Sequence, residues 1–141
     1  MTTLDELRKQ AKAATDKVAA KAAAADEVRE RRQLEGEIKL AELDETLGVR
    51  GRDYEAVFSA KTGDMVVVKA PLEVHWQKVS AKAFDETLSL KDSLELITSC
   101  LAYPDLPAFG KVCEHTPGII GQAADAITKL AGVREAKAGK R

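Results

Sequence analysis

The sequence predicts an α+β fold, mainly α, with a long N-terminal helix, one β-hairpin and a small C-terminal helical bundle. Three observations carry this reading. Residues 1–48 hold ten alanines and no aromatic residue, whereas all six aromatics and all four prolines fall between residues 54 and 117. Apolar residues in the first segment recur at steps of three and four, the spacing of one helix face. The period drops to two over residues 54–58 and returns to helical steps after Pro71.

The first helix is expected over residues 3–47. Thr3 is an N-cap with Glu6 three positions on, the pattern of a capping box, and Asp5 and Glu6 suit the positive end of the helix dipole. Leu4, Leu7, Ala11, Ala14, Val18, Ala22, Ala25 and Val28 form a narrow stripe, which re-phases into a wider face of Leu34, Ile38 and Ala41 alongside Leu40, Leu43 and Leu47. Gly36 weakens the helix between these stretches by about 1 kcal/mol relative to Ala, and Gly48 and Gly51 stop it. At 1.5 Å per residue the helix is on the order of 65 Å long, so part of it is expected to project, helical yet poorly buried. Residues 1–24 carry five basic and three acidic side chains and residues 25–48 four basic and eight acidic. This opposition favours antiparallel pairing with a second copy. The alternative is a solvated helix that docks only by its Leu34–Leu47 end.

Tyr54, Ala56 and Phe58 alternate with Glu55, Val57 and Ser59, and Lys61-Thr62-Gly63-Asp64 supplies turn chemistry before Met65-Val66-Val67-Val68-Lys69. This is a hairpin signature. Val66 and Val68 share one face and Val67 the other, so the second strand needs cover on both sides. A lone hairpin is marginal in water, so this one must lie on helices or gain a strand from a partner.

Four short helices follow. Leu72, Trp76, Val79 and Ala83 mark the first, and Leu90, Leu94, Ile97 and Leu101 the second, with Ser89 as N-cap and Asp92 three residues on. Tyr103-Pro104-Asp105 breaks the second helix, and Asp105 caps a third that runs through Phe109 and Val112 to His115. The last, near residues 119–130, presents Ile120, Ala123, Ala124, Ile127 and Leu130 before Gly132. The chain thus divides into a helix at 1–48, a hairpin-plus-helices domain at 49–132 expected to fold without it, and a basic tail at 133–141 expected to be disordered.

Composition excludes several classes of function. Lys and Arg number 22 against 23 Asp and Glu, too even a balance for a nucleic-acid or membrane-surface protein. The longest strongly apolar run, residues 65–68, is far short of the roughly 20 residues that span a bilayer. Two cysteines make no disulfide framework, and the charged start MTTLDELRKQ is unlike a signal peptide, so a cytoplasmic location is expected.

Chemistry finds little support. Cys100, Cys113, His115 and His75 lack metal-ligand spacing. Cys113 and His115 are two apart, on roughly opposite helix faces, and cannot act as nucleophile and base. Each cysteine is expected to pack as a small hydrophobe. Asp44 with Glu45 and Asp85 with Glu86 are adjacent carboxylates with no assigned role, and no glycine-rich phosphate motif occurs. No catalytic, cofactor-binding or metal-binding residue is assigned, and the expectation is a protein without enzymatic activity or cofactor.

Over residues 54–132 the order of features is a hairpin ending in MVVVKAP, an amphipathic helix, and a capped helix leading into SCLAYPDLPAFGKVCEHTPGIIGQAADAITKLAG. This resembles the small tail assembly chaperones and related tail-region proteins of tailed bacteriophages. The resemblance rests on Lys69-Ala70-Pro71 closing the extended segment, Cys100 running into Tyr103-Pro104, and Pro117-Gly118 introducing the last helix. It covers a little over half the chain and leaves residues 1–48 outside. It implies a non-enzymatic viral assembly factor in the host cytoplasm that shields a helical tape-measure protein and brings tail-tube subunits to it. A narrow stripe can pack on a partner helix. The partner-binding candidates are therefore Leu4, Leu7, Val18, Val28, Leu34 and Ile38. The alternative is a structural virion protein that assembles through its N-terminal coiled-coil helix.

Overall fold

The computed structural model describes residues 2–79 and 89–132. Helix α1 runs unbroken over Leu4–Asp44, and strands β1 (Tyr54–Phe58) and β2 (Met65–Lys69) follow. A short helix α2 (Glu73–Gln77) precedes α3 (Leu90–Cys100), strand β3 (Leu101–Tyr103), α4 (Leu106–His115) and α5 (Ile119–Leu130). Among the described residues this is a mainly helical α+β fold with a three-stranded antiparallel sheet.

Local chemistry sets most of the boundaries. The Thr3 capping box is formed in both directions. Ser89 accepts from the Asp92 amide at 3.1 Å, and Asp105 from the Ala108 amide at 2.9 Å. Gly132, at φ +84°, closes α5 in the left-handed region that glycine adopts without cost.

The sheet separates two apolar clusters. β1 pairs with β2 in the register Tyr54 opposite Lys69 and Phe58 opposite Met65. Val66 and Val68 point into a cluster with Leu96, Ile97, Phe109, Ile119 and Ile127, and Val67 points the other way, onto Leu40, Tyr54 and Met65. Both faces of β2 are thus covered, as its valines require. The full burial of Ile97, Ile119 and Ile127 contributes about 1.5–3 kcal/mol each.

The hairpin does not stand alone, and its third strand comes from the same chain. β3 pairs antiparallel with β2, Tyr103 opposite Val67 and Leu101 opposite Val68. The expected helix through Leu101 instead ends at Cys100, with Leu101 already extended at φ −67° and ψ 122°. The reason is non-local: Val66, Val67 and Val68 are fully buried, and the second edge of a buried strand needs backbone partners.

Helix faces also differ from the spacing-based expectation. In α3 the buried line is Ser93, Leu96, Ile97 and Cys100, while Leu90 is exposed and Leu94 half-buried. In α5 Ile119 and Ala126 join the buried set, and Ile120 and Leu130 are only half-buried. Leu72 is exposed and Trp76 half-buried at the edge of the first cluster, where Val79 is buried. Ala83, the Asp85–Glu86 pair and the tail at 133–141 lie outside the described residues.

The division at residue 48 runs through a core cluster. Leu40 is buried, Leu43 and Leu47 are half-buried, and all three pack on Tyr54, Met65 and Val67. Gly36 is also buried, because a Cβ there would sit 3.1 Å from the Phe58 ring and 3.2 Å from the Met65 Cβ. The glycine that weakens α1 as an isolated helix is the residue that lets the hairpin approach it.

At the hairpin tip, Gly63 has φ +79° and a Cβ there would overlap the Arg29 carbonyl oxygen. We expect Gly63→Ala to destabilise the fold by at least about 1–2 kcal/mol, from the left-handed backbone alone, read as a lower urea midpoint. A chain beginning at Arg29 should keep the full-length midpoint, whereas one beginning at Val49 should lose a large part of it because Tyr54, Met65 and Val67 lose their cover.

Candidate functional site

From Thr2 to Glu35 every residue of the chain is exposed. The body meets this stretch near its end. Arg29 donates to the Ala60 carbonyl at 3.5 Å, Arg32 lies 3.8 Å from the Asp64 carboxylate, and Gly63 abuts the backbone of Arg29 and Gln33. N-terminal to Arg29, α1 continues for 25 residues, Leu4–Val28, about 37 Å at helical rise. This projecting arm is the candidate site.

All six residues singled out from the sequence are exposed: Leu4 63%, Leu7 50%, Val18 67%, Val28 50%, Leu34 52% and Ile38 65%. They do not form one surface. At about 100° per residue, Leu4, Leu7, Ala11, Val18 and Ala22 fall within about 40° of the line through Gly36, Leu40 and Leu43 that packs on the hairpin. Leu34 and Ile38 lie about 140–180° round from that line, on the side of α1 turned away from the sheet, and Val28 lies between the two faces. The wider face expected from Leu34 to Leu47 is therefore split: Leu40, Leu43 and Leu47 dock inward, and Leu34 and Ile38 face out.

This split changes the pairing available to α1. Antiparallel pairing along its whole length needs both apolar stretches on one face, and the hairpin already occupies the inner face from Arg29 onward. The inner stripe of the arm instead continues the docking face of the body past the hairpin tip.

A hydrogen-bond network ties the C-terminal end of α1 to the start of β1. The Asp44 carboxylate accepts from the Arg50 guanidinium and from the Tyr54 hydroxyl, and Tyr54 is 1% exposed. The Arg50 hydrogen bond, with that from Tyr54, holds the Asp44 carboxyl below its ordinary range. Burial, with the neighbouring carboxylate, raises the Tyr54 hydroxyl. Next to this network Asp53 accepts from Arg52 at 3.0 Å and from the Val49 amide at 2.8 Å, and is lowered in the same direction.

Elsewhere two histidines of the described residues, His75 and His115, reach clefts. Cys100 is buried and Cys113 half-buried, and burial raises both thiols. His115 is exposed; its carbonyl accepts from Lys61 at 3.2 Å. His75 lines a cleft of about 770 Å³ with Val79, Leu90 and Leu94, without a nucleophile in hydrogen-bond reach. Among the described residues no three His, Cys, Asp or Glu converge as a metal site, and no helix is long and apolar enough to cross a membrane.

No family model, curated protein or solved structure matches this chain.

What spacing alone missed is the continuity between arm and body. A usable signal was present, since Arg29, Gly36, Leu40, Leu43 and Leu47 extend the Leu4–Ala25 line in phase. The test of the network follows from the lowered carboxyl. Its stabilisation is complete above the ordinary aspartate value of 3.8 and is lost as pH falls through the depressed folded value. We expect acid to weaken the docking of α1 through this pair, and Asp44→Asn to flatten the acid limb of a stability-against-pH profile.

Proposed function

We propose that this protein is a non-enzymatic assembly factor that captures a partner helix along the projecting arm of α1. The observation that supports this is the inner stripe of the arm, where Leu4, Leu7 and Val18 stand exposed in line with residues that pack in the body. An exposed apolar line continuous with a packed one offers a second helix the same narrow seam that the hairpin uses below. Removing the arm takes away surface and no core, as expected of a binding device and not of a structural strut.

The resemblance over residues 54–132 gives this reading its setting. As a tail assembly chaperone the protein would act in the host cytoplasm on a tape-measure protein, whose long helices expose apolar surface when made alone, and would bring tail-tube subunits to it. No cofactor, nucleic acid or membrane enters this role.

Co-expression with the cognate tape-measure protein tests it. We expect the soluble fraction of that protein to rise, deletion of residues 2–28 to remove the rise, and Leu4→Asp, Leu7→Asp and Val18→Asp to reduce it while leaving the fold intact. Many ordered copies in purified virions, with no change in tape-measure solubility, would instead favour a structural protein of the particle.

A further inference from the structure

Leu34 and Ile38 need a separate account, because the partner-capturing stripe does not include them. They form a ridge on the outer side of α1, with Ala41 one turn on. Its flanks are acidic: Glu27, Glu30, Glu35 and Glu42 are exposed beside it, with Arg31 as the base among them. Glu27 pairs with Arg31 at 3.9 Å and Glu42 with Lys39 at 3.5 Å, so the negative charge of the ridge is carried mainly by Glu30 and Glu35. The arm has the reverse character. Arg8 and Lys21 flank the inner stripe about 70° to either side, Lys12 and Lys17 lie about 110° round from it, and Arg8 is paired with Asp5 at 3.7 Å.

The charged borders match in length: Arg8 to Lys21 spans about 20 Å of helix and Glu27 to Glu42 about 22 Å. One is an apolar line with basic borders, the other an apolar ridge with acidic borders.

We propose that the arm of one copy of this chain docks on the outer ridge of the next, the occupant of each surface being a second copy. Because stripe and ridge lie on opposite faces of one helix, a two-fold pair cannot satisfy both at once. The contact is heterologous and repeats head to tail. It uses the stripe assigned above to partner capture, so self-assembly and the partner helix compete for the arm, and the ridge serves as an internal stand-in for the partner's seam.

Sedimentation of two variants and their mixture tests the proposal. Leu7→Glu with Val18→Glu spoils the stripe and leaves the ridge; Leu34→Gln with Ile38→Gln spoils the ridge and leaves the stripe. All four positions are exposed, so helix content by circular dichroism should match the wild type. The wild-type chain should grow beyond a dimer with concentration. Its association should weaken about tenfold between about 0.1 M and about 1 M salt, as the screening length falls from about 10 Å to about 3 Å. Each variant alone should stay monomeric, and an equimolar mixture should stop at a one-to-one dimer, since it contains one intact stripe and one intact ridge.

A wild-type monomer at high concentration and low salt would overturn the proposal. So would association of either variant to the wild-type extent, or a mixture that stays monomeric. The ridge variant keeps an intact stripe, so its solubilisation of the tape-measure protein reports on partner capture separately from self-assembly.

Discussion

The hairpin lies against α1 at backbone range, and that contact sets the position of every other element. Two glycines permit it, one on each partner: Gly36 gives the Phe58 ring and Met65 room to settle on the helix, and Gly63 brings the turn up to the Arg29 carbonyl. The lengths agree as well. From Asp44 to Gly36 the helix advances about 12 Å, and from Tyr54 to Phe58 the strand advances about 13 Å, so strand and helix stay in step from the Asp44–Tyr54 hydrogen bond to Gly36.

With the hairpin fixed on α1, β2 becomes the centre of the molecule. It is paired on both edges and covered on both faces, by α1 on one and by α3 and α5 on the other. Four consecutive residues, Met65–Val68, are buried as a result. Such a strand cannot tolerate an unpaired edge in apolar surroundings, which accounts for the turn of the chain from α3 directly into β3. The far end of the hairpin is tied to the helical side by the Ser59–Thr116 hydroxyl pair at 2.9 Å and by Lys61 on the His115 carbonyl.

The parts legible in the sequence are those decided within a few residues. The Thr3, Ser89 and Asp105 caps, the Lys61–Asp64 turn and the need for cover on both faces of the valine strand all follow from local chemistry. β3 was not legible, because Leu101 continues the helical spacing of α3, Tyr103 reads as part of a break, and the segment extends only in answer to a distant strand edge. The face of α3 was misphased by a residue, and that of α5 takes in Ile119 and Ala126 beside the expected Ala123, Ala124 and Ile127, for a related reason: neighbouring positions are both apolar, and the sheet decides which one turns in. At the candidate site all six side chains are exposed, and their separation onto two faces was not legible from spacing. Spacing groups residues on a helix; only the docked hairpin shows which side of α1 is inner.

Because α1 is one uninterrupted helix from Leu4 to Asp44, residue count between arm and body is a rotational setting. Adding or removing one residue between Val18 and Arg29 would turn the stripe about 100° away from the docking face, whereas a seven-residue change would return it to within about 20°. Arm length is therefore free to vary in units of two turns, while single insertions re-aim the whole surface. In this molecule an insertion that touches no buried side chain would still change which direction the apolar line faces.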